Sequence, residues 1–264
     1  MKVDPVSAQS RAPALSLVVP LYNEQDNATW VVESLARHLD AGGDSYELIL
    51  VDNGSTDGTA EILKRSAPQH ASVRVVSVGV NEGYGRGIIQ GLCQARGEYI
   101  GYMSGDGQIQ PEDPLRVYKA LRRSGAPAGK IRRVVRHDGW LRLVNSFCYN
   151  GICALGFGLR SRDINGTPKI IARDLLDQLE LSSGDWFIDF ELMLKLQWLG
   201  APVLEVPTEY LARRGGSSKV RLRDAWEFVR NMASVRWGGR FGTWQAAHER
   251  GAAAWVVASE EVSV

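Results

Sequence analysis

Histidine and cysteine are scarce in this chain, and long apolar runs are missing. Its 264 residues include 4 His and 3 Cys. His38, His70, His137 and His248 all fall away from strand ends, and no Ser stands in a strand-to-helix elbow. That argues against hydrolase triads. Cys93, Cys148 and Cys153 show no metal-ligand spacing and no paired framework, which points to reduced, buried thiols. No apolar run approaches the ~20 residues of a membrane-spanning helix. The longest, at 15–21 and 252–258, are far shorter. Residues 1–13 lack the charged-then-apolar pattern of a signal peptide and read as a disordered polar tail. A cytoplasmic location is expected, with the sequons at Asn27, Asn53 and Asn165 idle. The net charge of +1 argues against a nucleic-acid-binding surface. A dinucleotide-binding fingerprint is absent as well. The first strand ends in Pro20-Leu21-Tyr22-Asn23-Glu24, and the later Gly83-Tyr84-Gly85-Arg86-Gly87 has the wrong glycine spacing. No P-loop is present.

What is there is an alternation of strand and helix. Leu15 to Pro20, Tyr46 to Val51, Val73 to Val80 and Glu98 to Met103 read as strands. Helical patterns follow each of the first three, with the third expected from Ile88 to Ala95 after a glycine loop. Pro111-Glu112-Asp113-Pro114 reads as a further helix start. Such an order predicts a mostly parallel sheet with helices on both faces. Right-handed crossovers then bring the strand ends to one edge, where open α/β sheets bind ligands. Glu24, Asp52, Asn81 and Asp106 each lie just after a strand. They are expected to meet at one cleft.

The residues at these strand ends form a pattern. Val19-Pro20-Leu21-Tyr22-Asn23-Glu24, Val51-Asp52-Asn53-Gly54-Ser55-Thr56-Asp57-Gly58-Thr59, Asn81-Glu82-Gly83-Tyr84-Gly85 and Gly105-Asp106-Gly107-Gln108 are its first parts. Asp163-Ile164-Asn165-Gly166, Glu205-Val206-Pro207 and Arg213-Arg214-Gly215-Gly216-Ser217-Ser218-Lys219 continue it. The chain resembles family 2 glycosyltransferases of GT-A (Rossmann-like) fold, and within them the dolichyl-phosphate mannose synthase and polyprenyl-phosphate group. The resemblance covers residues 14–220, leaving 221–264 as a C-terminal amphipathic helix and tail.

The resemblance implies roles for individual residues. Pro20, Tyr22 and Glu24 frame the nucleotide, and Asp52 accepts from its base. Asn81 and the glycines, Gly85 among them, let the backbone approach it. Asp57 reads as a helix cap. Asp106 holds Mg²⁺ or Mn²⁺, with Gln108 as a supplementary ligand. Ser104 stands where the family often carries a second Asp, so the site is poorer in carboxylate than is usual there. Arg213 and Lys219 match a loop that closes on the diphosphate. Ser183 is expected to open a helix running to Leu199, and in it Asp189 and Glu191, with Asp185, match the region of a carboxylate base in relatives that use hydroxyl acceptors. A phosphate acceptor needs none.

The acceptor half is expected in the basic stretch after Ala120. Arg132, Arg136 and Arg142 suit a lipid-borne phosphate, while a solvated charged face is the alternative. Trp140 to Leu155 reads as an apolar, aromatic helix, and Leu222, Trp226, Val229 and Ala233 share one face of another. Each fits either a core or a membrane surface. Asp163 and Asn165 are placed to read sugar hydroxyls. The chain is thus read as an inverting glycosyltransferase acting from a GDP- or UDP-sugar onto a polyprenyl phosphate, peripheral on the inner membrane face. The alternatives are transfer to a soluble hydroxylated metabolite or glycan through a carboxylate base, and a catalytically weak nucleotide-sugar-binding subunit.

Overall fold

A computed structural model describes residues 12–136, 140–212 and 222–248. The sheet is built from β1 (Leu15–Leu21), β2 (Tyr46–Asn53), β3 (Val73–Val78), β4 (Tyr99–Tyr102), β5 (Ala128–Arg136), β6 (Lys169–Ala172) and β7 (Val203–Tyr210). Between the strands lie α1 (Gln25–Asp40), α2 (Thr59–Ser66), α3 (Tyr84–Leu92), α4 (Asp113–Ser124), α5 (Trp140–Phe157), α6 (Arg173–Leu179) and α7 (Ile188–Trp198). Two more helices, α8 (Leu222–Trp237) and α9 (Gly242–His248), follow the last strand.

The strands run in the order β3-β2-β1-β4-β6-β5-β7. Both neighbours of β6 pair with it antiparallel, and the remaining pairs are parallel. Side chains alternate across a strand with a period of two, and the core divides accordingly. Leu17 and Val19 of β1, with Leu48 and Leu50 of β2, pack on one face with α1 and α4. Val18, Ile49 and Val51 pack on the other with α3 and α7. Because both faces are covered, the central strands read as unbroken apolar runs. Residues 188–196 of α7 are buried on every side, so this helix lies inside the protein.

Two element starts differ from the sequence-based expectation. Helix α3 begins at Tyr84, so Gly85 and Gly87 lie inside it, with Gly91, rather than in a preceding loop. Their lack of side chains is a packing requirement. A Cβ at Gly85 would sit 2.2 Å from the Ser183 carbonyl oxygen, and one at Gly91 would sit 2.2 Å from Val18 Cγ1. Gly85→Ala is expected to destabilise the protein by ~1–3 kcal/mol, the usual cost of overpacking, read as a lowered urea midpoint at unchanged slope. Helix α7 begins at Ile188 instead of Ser183, because residues 182–185 form a loop held against α3.

Candidate active site

The parallel strands β3, β2, β1 and β4 end side by side. Leu21 is in register with Asp52, and Asp52 with Ser77. The loops that follow interlock. Asn23 takes a positive φ of 51° and its Oδ1 accepts from the Thr56 amide at 2.8 Å. The Glu24 amide donates to Thr59 Oγ1 at 2.9 Å, and Glu24 Oε2 accepts from Asn27 Nδ2 at 2.7 Å. Asp52 Oδ1 accepts from the Ser55 amide at 3.1 Å. Gly54, at φ +73°, lies so close to Asn81 that a Cβ would meet its amide nitrogen at 2.5 Å. Asn81 Oδ1 in turn accepts from the Gly83 amide at 2.8 Å. Pro20 and Glu24 are buried at this edge, and Tyr22, Asn81, Ser104 and Asp106 are half-exposed. Asp57 caps the following turn: its Oδ1 accepts from the Thr59 amide at 3.0 Å and from Thr59 Oγ1 at 2.5 Å.

Gly83 and Gly85 do not open toward a ligand. Both face the backbone of residues 183–185, and the Arg86 amide donates to the Gly184 carbonyl at 3.0 Å. The close approach they allow is between two parts of the chain. Tyr84 stacks on Trp186 with ring centroids 4.2 Å apart. A cavity of about 340 Å³ lies here, lined by Asn81, Tyr84, Asp185, Trp186, Glu227 and Phe228 among others. Burial, followed by the charges of Asp189 and Asp106, pushes the Tyr84 phenol well above its ordinary pKa.

Asp106 follows β4 in a tight turn. Gly105 lies against Pro20 and Leu21, and Asp106 Oδ1 accepts from the Gln108 amide at 3.2 Å. Gln108 is buried; its Nε2 donates to the Leu211 carbonyl at 3.2 Å, and the Leu211 amide donates back to the Gln108 carbonyl at 2.9 Å. The turn is therefore tied to the base of the stretch that carries Arg213 and Lys219, which themselves lie outside the described residues. No cluster of three His, Cys, Asp or Glu side chains forms among the described residues. The half-exposed Asp106 carboxylate fits a hard cation that keeps most of its shell for water and diphosphate oxygens.

Asp189 and Glu191 part company. Asp189 is buried and accepts on Oδ1 from Tyr102 Oη at 2.8 Å and from Lys169 Nζ. Glu191 is fully buried and does not open on the cleft. It accepts from the Ser182 amide at 3.0 Å, the Ser183 amide at 2.7 Å, and Lys195 Nζ at 2.7 Å. A carboxylate so enclosed cannot reach an acceptor, and its geometry is that of a loop anchor. Asp185 closes the turn before α7, its Oδ1 accepting from the Phe187 amide at 3.0 Å, and its Oδ2 accepts from Asn231 of α8 at 2.8 Å.

The basic stretch forms β5, and its cations diverge. Lys130 is buried, 3.6 Å from Glu205. Arg133 makes a two-pronged pair with Asp163, with Nε 2.8 Å from Oδ2 and Nη2 2.6 Å from Oδ1. Burial pushes the Asp163 carboxyl up, but the hydrogen bonds and charge of Arg133 outweigh it and hold it well below the usual carboxylate range. Asp163 is therefore committed to Arg133 and is not free to read a sugar, contrary to the expectation; Asn165 is exposed. Arg132 is half-buried, and its Nε is buried without a hydrogen bond. Arg136 ends β5 and Arg142 lies in the first turn of α5; their side chains lie outside the described residues. A second cavity, of about 460 Å³, is lined by Arg133, Phe147, Asn150, Arg160, Arg162 and Asp163 among others.

Sequence reasoning assigned no role to Lys169, Tyr102 or the Tyr84–Trp186 stack. Lys169 stands at the end of the Asp163–Lys169 run, and a lysine opening a short apolar strand was the available signal.

The glycosyl transferase family 2 model matches residues 16–180. The chain is 30% identical over 211 residues to the undecaprenyl-phosphate 4-deoxy-4-formamido-L-arabinose transferase of Edwardsiella ictaluri, covering 79% of this chain and 63% of that protein. It is 28% identical over 229 residues to the dodecaprenyl-phosphate galacturonate synthase of Rhizobium johnstonii, covering 86% and 68%. The chain thus spans about two thirds of the length of these curated relatives. Among solved structures it is similar to glucosyl-3-phosphoglycerate synthase from Mycobacterium tuberculosis in complex with Mn²⁺, UDP and glucosyl-3-phosphoglycerate. There the TM-score is 0.65 at 22% identity, over 86% of this chain and 80% of that one. The same enzyme with Mg²⁺ and UDP gives a TM-score of 0.65 at 22% identity, over 86% and 80%. At this identity the likeness establishes the fold, a GT-A sheet. With the strand-edge motifs and the family match in agreement, the chain belongs to glycosyl transferase family 2.

Proposed function

We propose that the chain moves a sugar from a nucleoside-diphosphate sugar to a polyprenyl phosphate, by in-line displacement with inversion. The observation that carries the reading is the meeting of Glu24, Asp52, Asn81 and Asp106 at the ends of adjacent parallel strands. A carboxylate at that edge suits the diphosphate through a bound cation, and the half-exposed Tyr22 offers a ring to the nucleoside. Asp106, with Gln108, is the residue that would hold Mg²⁺ or Mn²⁺, which when bound supplies positive charge to the departing diphosphate. Both metals accompany UDP in the similar solved structures.

Three features support the lipid acceptor. Arg132 on β5 keeps a buried Nε that has no hydrogen bond, as a phosphate-binding guanidinium awaiting its ligand does. Helices α5 and α8, joined by Tyr149 against Phe228, both turn large apolar groups outward. Phe147 is 80% exposed, Leu155 92% and Trp237 81%. No helix of the described residues is long and apolar enough to cross a membrane, and such faces suit a helix lying in the interface. The curated relatives are named for undecaprenyl and dodecaprenyl phosphate. A phosphate acceptor is anionic at neutral pH and attacks without a general base.

Two measurements test the halves separately. UDP or GDP with Mn²⁺ is expected to raise the melting temperature, since a ligand at a hundred times its Kd contributes ~2.7 kcal/mol. The protein is also expected to float with vesicles of anionic lipid containing undecaprenyl phosphate. No shift with either nucleotide contradicts the donor half; protein left in the aqueous layer contradicts the acceptor half.

A further inference from the structure

The charged group beneath the cleft has no part in the mechanism above. Lys169 opens β6 and is 1% exposed, and Asp189 on α7 is 5% exposed. Lys169 Nζ and Tyr102 Oη both bond to the same carboxylate oxygen, Asp189 Oδ1. Asp189 Oδ2 accepts no hydrogen bond among the described residues. Burying an ion pair costs more than the pair returns unless its geometry is good and its remaining lone pairs are met. Here one oxygen is doubly met and the other is left for something else.

The position of that oxygen says what. Tyr102 ends β4, two residues before Ser104 and four before Asp106. The Tyr84 phenol feels the charges of both Asp189 and Asp106. Asp189 is thus tied, through Tyr102, to the strand that runs into the turn where the diphosphate and its sugar are expected. A charged acceptor bonds strongly to a hydroxyl donor, and a site built to bond a hydroxyl rejects ligands that lack it. An anionic acceptor leaves no proton for Asp189 to remove, so hydrogen bonding is what the carboxylate has to offer.

We propose that Asp189 binds a hydroxyl of the donor's sugar through Oδ2 and so determines which sugar is transferred, with Lys169 and Tyr102 as positioning residues. The proposal rests on the nucleotide-sugar reading. Lys169 and Tyr102 come from adjacent antiparallel strands, with Tyr102 in register with Lys169, so a rigid ladder fixes both donors at once. Burial pushes the Lys169 ammonium down to about 8, against the raising effect of Asp189, which keeps the group charged where Asp189 needs it at neutral pH. Lys130 and Asp163 also act on it, from β5 and from the segment before β6.

The test is calorimetric titration, with Mn²⁺, of UDP, GDP, UDP-glucose, UDP-galactose, UDP-glucuronate and GDP-mannose into the wild-type protein, Asp189→Asn and Tyr102→Phe. Wild type is expected to rank the sugars at least tenfold apart. Asp189→Asn is expected to bind the free nucleoside diphosphate within twofold of wild type and to flatten the ranking of the sugars. Tyr102→Phe is expected to flatten it in the same direction by a smaller factor. Equal losses for free nucleotide and sugar nucleotide, or an unchanged ranking in both variants, overturn the proposal and leave the donor site standing. A wild-type protein that binds no nucleotide overturns the donor-site reading, and this proposal with it. Should Asp189→Asn lose its cooperative melt, Tyr102→Phe decides alone, because it leaves the Lys169–Asp189 pair in place.

Discussion

Replacing Asp106 by alanine is expected to reduce sugar transfer on the order of a thousandfold while leaving the fold intact. The carboxylate is half-exposed, and within the protein its Oδ1 accepts from the Gln108 amide. Bonds of this kind are worth ~0.5–1.5 kcal/mol each, a loss that a domain with two apolar core layers withstands. The catalytic cost is larger, because charge builds on the diphosphate as it leaves, and fixed opposite charge there is the main device for stabilising it. Ser104 sharpens the case. With a serine where relatives often carry aspartate, Asp106 is left as the carboxylate of that turn. Transfer rate and urea midpoint measured on the same preparation check both halves. A variant with wild-type rate contradicts the assignment, and one with a collapsed midpoint leaves Asp106 a structural residue.

Glu191→Ala is expected to destabilise the protein by ~3–5 kcal/mol, the cost of stripping one member from a buried ion pair. Glu191 is 0% exposed and Lys195 1%. Removing the carboxylate leaves the Lys195 ammonium with the Leu179 and Glu180 carbonyls, at 2.7 and 2.9 Å, and the rings of Phe241 and Trp244, but with no counter-charge in contact among the described residues. It also frees the Ser182 and Ser183 amides, which hold the loop that backs Gly83 and Gly85. The nucleotide edge is thus expected to loosen together with the loop. Thermal melting is the readout, with nucleotide binding measured well below the transition. A variant that melts like wild type and loses only turnover contradicts the anchoring role and restores Glu191 as a candidate base.

These two residues show what the sequence made legible. Asp106 was readable because strand order and crossover handedness bring strand ends together, and both follow from local pattern. Four strands with a residue of the right chemistry after each suffice for that inference. Glu191 was not readable in the same way. Its acidic neighbours suggested chemistry, yet its partners are two loop amides and a lysine one turn on, and burial decides between the readings. The β5 cations were likewise visible only as a basic run. Lys130 turns inward to Glu205 and Arg133 to Asp163, partners that stand tens of residues away in the chain. The glycines after Asn81 were seen as a loop because glycine disfavours helices. Contacts with residues 183–185 and with Asn53 override that preference. Lys169 was passed over because a buried lysine is uncommon, and nothing local to it announces Asp189.

The most direct test of the central claim follows the label itself. Purified protein, Mn²⁺, sugar-labelled UDP- or GDP-linked donors and vesicles containing undecaprenyl phosphate are incubated together and extracted with organic solvent. Sugar label is expected in the organic phase, only with the lipid phosphate present, and to vanish with Asp106→Ala. Label that stays water-soluble, in a new product formed without the lipid, contradicts the claim and gives the enzyme a soluble acceptor.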